Sequence, residues 1–318
     1  MYYIGVDLGG TNIAVGLVNE NFELVTKQSI PTEVKNGVES IMDRMAGLIS
    51  KVVSEANLTM KDIAWIGIGS PGVVVPEKQE IGFAPNLGFL HTPVGPMLQK
   101  HFPDTKIFLG NDADVAAFGE AKAGAAKGTN SSITITLGTG VGGGMIIDGK
   151  IYNGFNHAGG EFGHIAIHEG DRPCTCGRNG CWEAYASVTG LILTTKQAME
   201  KNPDSKMWEI AEGSLDNVSG LTSFDAMRAG DKAAKEVVDS YINSVASGLV
   251  SILNILQPEI ICIGGGISKE GDTLLKPIQE YAKTRLFSRH VETQSKIAIA
   301  KLGNDAGIIG AALLGSME

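Results

Sequence analysis

Three cysteines, Cys174, Cys176 and Cys181, fall within eight residues, and His164 stands ten residues before the first of them. Thiolates and an imidazole at this spacing suit a tetrahedral zinc ion. Gly177 and Gly180 let the short intervening loops wrap around an ion. Four ligands fill the coordination shell, so the reading is a structural ion that contributes folding free energy rather than Lewis acidity. Cys174 and Cys176 form Cys-x-Cys, not the Cys-x-x-Cys of a redox pair. His168 is a competing histidine, and unliganded thiols are the competing reading of the cluster. The fourth cysteine, Cys262, lies in an apolar run and reads as a core residue.

Two glycine-rich stretches carry a different chemistry. Asp7-Leu8-Gly9-Gly10-Thr11-Asn12 and Leu137-Gly138-Thr139-Gly140-Val141-Gly142-Gly143-Gly144 each follow an apolar strand. Their glycines allow tight turns whose amides form a nest for an anion. The second stretch lacks the lysine and following helix of a P-loop, and a strand rather than a helix follows its glycines, which disfavours dinucleotide binding. An ordinary hairpin turn would use the same glycines, but two such loops could together cradle the phosphates of a nucleotide. Asp7, at a strand end, could hold a metal ion through water. Gly265 and Gly266, after another apolar strand, would permit the flat approach of a base or ribose. Asn111-Asp112 sits where a short strand meets a helix, and a carboxylate there could take a proton from an attacking hydroxyl. It could equally cap the helix, as could Asp114. Glu161, His164 and Glu183 flank the cysteine cluster and offer groups that grip vicinal hydroxyls.

The elements that position these residues repeat. Residues 2–7, 12–18 and 22–31 read as three strands joined by hairpin connections, with Asn19 to Asn21 as a turn. A helix over residues 37–57 follows, with Val38, Ile41, Met45, Leu48, Ile49 and Val52 on one stripe, and then a buried strand, IAWIGIGS. SSITITL, VGGGMIIDGK and KIYNG give a second set of three strands. A long helix, Lys232 to Leu256, leads to the strand EIICIGGG. The order strand-strand-strand-helix-strand therefore occurs twice. A last helix is expected from Ala306 to the end, and residues 191–231 read as helices and loops.

The 318 residues suffice for two cored domains. A net charge of −9 argues against nucleic acid or an anionic membrane as partner. No basic segment precedes the first strand, and no run of 18 apolar residues occurs. The longest candidate, Val245 to Ile263, is interrupted by Asn254, Gln257, Pro258 and Glu259. Few cysteines and no leader give a cytoplasmic protein as the expectation.

Taken together, the knuckle preceded by Glu-x-Gly-His, the Asn111-Asp112 pair and the Asp-Leu-Gly-Gly-Thr-Asn stretch resemble the ROK family of sugar kinases and sugar-responsive repressors. The likeness runs over essentially the whole chain and is strongest to the glucokinases of that family. It implies an α/β, actin-like (ribonuclease H-like) ATPase fold with two lobes, each built on a βββαβ core. The lobes would be residues 1–110, rejoined by a C-terminal helix 304–318, and residues 111–303, which would carry the knuckle and most of the nucleotide site. It implies Asp112 as catalytic base and Asn86, Asn111, Asp112, Glu161, His164 and Glu183 as sugar contacts. Asp7, Gly9, Gly10, Thr11, Asn12, Thr139, Gly140, Gly265 and Gly266 match the ATP and Mg²⁺ positions, and His164, Cys174, Cys176 and Cys181 the structural Zn²⁺. Phe89 stands where members often have tryptophan. The activity implied is transfer of the ATP γ-phosphoryl group to the 6-hydroxyl of glucose, by a homodimer or homotetramer. Mannose, fructose, allose, N-acetylglucosamine and N-acetylmannosamine are rival substrates, and polyphosphate or ADP rival donors. A sugar-sensing regulator is disfavoured, since the first strand begins at Tyr2 and leaves no room before it for a helix-turn-helix.

Overall fold

The computed structural model describes residues 1–170 and 172–317. Strands β1 (Tyr2–Leu8), β2 (Asn12–Asn19) and β3 (Leu24–Pro31) form an antiparallel meander. Helix α1 (Gly37–Glu55) then returns the chain to β4 (Ile63–Ser70), which pairs parallel to β1. Three short strands follow, β5 (Val73–Val75), β6 (Glu80–Ala84) and β7 (Phe89–Thr92), in a small sheet of their own that the sequence pattern does not announce. Helix α2 (Val94–Gln99) leads to β8 (Lys106–Asn111), and α3 (Asp112–Ala123) begins directly at its end. The sheet order is β3-β2-β1-β4-β8.

The order recurs. Strands β9 (Ser132–Leu137), β10 (Val141–Ile147) and β11 (Lys150–Ile151) are followed by α4 (Glu183–Ala186), α5 (Val188–Lys201), α6 (Lys206–Ile210), α7 (Thr222–Arg228) and α8 (Lys232–Leu256). Then come β12 (Ile260–Gly264), α9 (Asp272–Arg285), β13 (Lys296–Ile299) and α10 (Ala306–Ala312). The second sheet runs β11-β10-β9-β12-β13, the same plan as the first. The expected C-terminal helix is shorter than its apolar run: after Ala312 the chain tightens into a 3₁₀ turn at Leu314–Met317, where Gly315 packs against Trp65. Glu318 lies outside the described residues.

By internal packing the chain divides into two compact units. One is residues 1–134, 144–160 and 300–318, and the other is residues 135–143 and 161–299. The boundary differs from the cut at 110 expected from the sequence, because α3 packs with the N-terminal sheet. In the first unit the period-two alternation of strands decides which face covers what. Ile4, Val6 and Leu8 share a core with Met42, Met45 and Ile49 of α1, while Tyr3 and Val18 turn to Phe118 of α3 and Ile309 and Leu313 at α10. Helix α10 lies close on this second face because β1 and β4 carry Gly5 and Gly67 there. A Cβ at either position would collide with the carbonyl oxygen of Ile308 or Ala311. In the second unit, the expected stripe of α8 is buried, and Trp182 is fully buried over Gly248 with its indole N–H donating to the Ser244 carbonyl at 2.8 Å. Cys262 is buried in β12, as its apolar context predicts. Among the described residues no helix is long and apolar enough to cross a membrane.

Candidate active site and metal centre

In the first unit, β8 ends at Asn111 and α3 starts at Asp112. Asn111 is the N-cap: its side-chain oxygen accepts from the amides of Ala113 at 2.9 Å and Asp114 at 3.2 Å. Its Nδ2 donates to the Gly72 carbonyl at 2.9 Å, which fixes the side chain from both ends. Asp112 occupies the first helical position, and its Oδ1 accepts from the Ala113 amide at 2.9 Å. Burial pushes the Asp112 carboxyl above its ordinary value, while the Ala113 amide and Asn111 pull the other way. Asp7 lies near the end of β1. Burial lifts its carboxyl to about 6, and the charge of Asp112 adds to the rise. Two mutually repelling, poorly hydrated carboxylates are a setting for a base and for a cation held between water and protein.

The first glycine turn is braced from β3. The Gly9 amide closes the turn on the Asn12 carbonyl at 2.9 Å. Buried Thr32 donates its hydroxyl to the Gly9 carbonyl at 2.6 Å and its amide to the Thr11 carbonyl at 2.8 Å. With these carbonyls engaged, the exposed edge of the turn is left to Gly10, Thr11 and Asn12. Gly10 abuts the exposed Asn86, whose carbonyl oxygen would stand 3.0 Å from a Cβ placed there.

The remaining expected residues belong to the second unit. The Gly138 amide closes its turn on the Gly140 carbonyl at 3.0 Å, and exposed Thr139 sits at the tip. The Val141 amide donates to Glu183 Oε2 at 2.9 Å. Gly265, at φ +86°, packs so close to the Leu137 carbonyl that a side chain is excluded, while a Cβ at Gly138 or Gly266 would meet nothing within 4 Å. The open space above Gly138 and Gly266 fits a ligand resting on bare backbone.

The knuckle assembles as its spacing predicts. Ligand atoms of His164, Cys174, Cys176 and Cys181 all lie within 4.8 Å of one another. Cys176 and Cys181 sulfurs are 3.6 Å apart, and Cys174 Sγ is 3.6 Å from His164 Nδ1. A tetrahedral zinc ion with bonds of about 2.3 Å to sulfur requires separations of roughly 3.8 Å, so the four residues fit it. The Cys181 thiol is pushed up to about 12 by burial and by its cysteine neighbours, and a bound cation would supply what is needed to deprotonate it. The loop holds itself with Cys174 N–H to the Arg178 carbonyl at 2.8 Å and Gly177 N–H to the Cys174 carbonyl at 3.0 Å. His168 is outside the cluster and packs on Tyr185, ring centroids 4.6 Å apart. Glu161 is exposed before the short 3₁₀ turn that carries His164.

Asp7, Gly9, Gly10, Thr11, Asn12, Asn86, Asn111 and Asp112 thus share the first unit; Thr139, Gly140, Glu161, His164, Glu183, Gly265, Gly266 and the cysteines share the second. Sequence reasoning overlooks Thr32 and Gly72, whose roles rest on bonds to distant backbone, and no local pattern marks either.

Duplicated strand orders, each opening with a strand, a glycine turn and a second strand, give the α/β fold of the sugar-kinase type, with mixed sheets flanked by helices. The family model of the ROK family matches residues 3–317, and the chain belongs to that family. Within it the protein is a sugar kinase closely related to bacterial glucokinases. It is 38% identical to a glucokinase of Halalkalibacterium halodurans over 97% of this chain and 93% of that one. A glucokinase of Thermotoga maritima is 36% identical, over 97% and 95%. The solved structure of a ROK-family glucokinase from Streptomyces griseus in complex with glucose and AMPPNP superposes with a TM-score of 0.82 at 32% identity, covering 100% of both chains.

Proposed function

We propose that this protein is an ATP-dependent glucokinase that phosphorylates the 6-hydroxyl of glucose, with Asp112 as general base. The observation that carries the reading is Asp112 itself: a poorly hydrated carboxylate with a raised pKa at the head of α3, oriented by the Ala113 amide and followed along the chain by nothing it must cap, since Asn111 does the capping. The glucokinase relatives direct the choice of sugar.

Asp112 accepts the proton of the 6-hydroxyl, and that oxygen forms its bond to the γ-phosphorus as the bond to the β–γ bridging oxygen breaks. Asn111, Glu161, His164 and Glu183, with Asn86, hold the remaining hydroxyls. The turns consume the amides of Gly9 and Gly138 internally, so Gly10, Thr11, Thr139 and Gly140 are the donors we assign to the phosphates, with Gly265 and Gly266 beneath the adenosine. Asn12 extends the first donor edge. Asp7 is assigned to the hydration shell of Mg²⁺, an ion that offsets charge on the transferring group when bound. Zn²⁺ is assigned to structure, and the assembly to a homodimer or homotetramer, on the family resemblance.

A coupled assay of ADP release with Mg²⁺-ATP and glucose, mannose, fructose, allose, N-acetylglucosamine and N-acetylmannosamine tests the reading. Selective turnover of glucose is expected. Preference for another sugar moves the specificity while leaving the chemistry, and no turnover with any sugar or donor overturns it.

A further inference from the structure

Resting on the sugar-kinase reading, we propose that Glu183 is a positioning residue for the nucleotide: it carries the order of the metal knuckle to the Gly138–Val141 turn, so that the ion governs nucleotide affinity and not the sugar side alone. Glu183 Oε2 accepts the Val141 amide at 2.9 Å, and a Cβ on Gly140 would collide with that same oxygen. Glu183 follows Cys181 by two residues. Its other oxygen, Oε1, lies 3.8 Å from Cys174 Sγ. The connection is therefore short and made entirely within the second unit.

The backbone that aims Glu183 has little freedom once Cys181 is fixed. The Ala184 amide folds back on the Cys181 carbonyl at 3.0 Å, and the Trp182 amide donates to the Ile165 carbonyl at 2.7 Å, next to the ligand His164. Downstream, the same stretch grips the same turn twice more. Val188 N–H donates to the Gly138 carbonyl at 2.8 Å, and Thr189 Oγ1 donates to the Thr139 carbonyl at 2.7 Å. Residues 183–189 thus hold the turn at Gly138, Thr139 and Val141, which leaves the Thr139–Gly140 tip in a set attitude. A charge-assisted bond to a backbone amide is among the stronger single hydrogen bonds. Without the ion, Cys174, Cys176 and Cys181 lose the partner they share, and the Cys174 sulfur that lies against Glu183 Oε1 is no longer held in place. Glu183 Oε1 remains for a sugar hydroxyl, so the two roles are compatible and separable.

The test is calorimetric titration of AMPPNP, without sugar, into protein of measured zinc content before and after chelation, for wild type, Glu183→Gln and Thr189→Val. A parallel glucose titration reads the sugar side. Chelation and Glu183→Gln are each expected to weaken AMPPNP about tenfold, the worth of one such bond, with no further loss on combining them. Thr189→Val, which keeps the ion, should weaken it several-fold. Glu183→Gln that loses only glucose affinity would overturn the proposal, as would unchanged AMPPNP affinity after chelation. Should the metal-free protein unfold by circular dichroism, Glu183→Gln of unchanged zinc content decides: it must still weaken AMPPNP, and wild-type affinity there refutes the link. Wild-type protein that binds no AMPPNP removes the kinase reading itself, a result distinct from any of these.

Discussion

Asp7 is ionised at neutral pH in surroundings that resist the charge. Its carboxyl is raised from 3.8 to about 6, by burial first and by Asp112 second. The gap of about 2.2, at about 1.36 kcal/mol for each pKa unit, means that the ionised group destabilises the ligand-free fold by about 3 kcal/mol at pH 8. The folded state holds this proton more tightly than the unfolded chain. Stability therefore falls as pH rises from about 4 to about 6, and the full penalty stands above about 7. Asp7→Asn keeps the shape and removes the charge. Urea unfolding of the ligand-free protein should show a gain approaching 3 kcal/mol at pH 8 and only about 1 kcal/mol at pH 4.5, while sugar phosphorylation is lost. The gain should be smaller in an Asp112→Asn background, where the repelling charge is gone. Equal gains at both pH values, or none at pH 8, would refute the electrostatic account and leave Asp7 an ordinary strand residue.

Asp112→Asn should lower kcat by about a thousandfold with little change in either KM, read by the coupled assay, because the amide cannot take the proton. Cys181→Ala should abolish stoichiometric zinc by elemental analysis and lower the melting temperature, since a closed four-ligand site contributes to folding. Glu120, buried on α3, accepts the amides of Ala125 at 2.7 Å, Lys301 at 3.1 Å and Leu302 at 2.6 Å. Glu120→Ala should therefore cost about 3 kcal/mol in urea unfolding and speed amide exchange at Lys301 and Leu302, with Glu120→Gln milder.

What could be read from the sequence was local and periodic. Helix α8 occupies the residues its apolar stripe predicts, because twenty-five residues average out accidents of composition. The knuckle was legible because metal ligands must be near one another in sequence when the loop is short. Strands β5–β7 were not, since Gly72, Pro76, Gly82, Pro85 and Gly88 read as loop and only cross-strand pairs such as Phe83 with Leu90 make them a sheet. Thr32 and Glu120 escaped for the same reason: one braces a turn 23 residues earlier, the other gathers amides 181 and 182 residues later. Glu183 was legible as a polar residue near the knuckle, but its bond to Val141, 42 residues away, was not.

The close seat of α10 on β1 and β4 has a consequence for biosynthesis. The sheet of β1 and β4 is synthesised well before α10, yet its Gly5 and Gly67 are shaped for that helix, which begins at Ala306. At about 5–20 residues per second, some ten to fifty seconds separate the synthesis of β4 from that of its cover. Throughout that interval Tyr3 and Val18 lack their apolar partners Ile309 and Leu313. The nascent chain thus presents a sticky half-finished face to the cell, a natural target for chaperones. Deleting the last fifteen residues should leave this face permanently open and send the product to aggregation or proteolysis, although every residue assigned to chemistry would still be present.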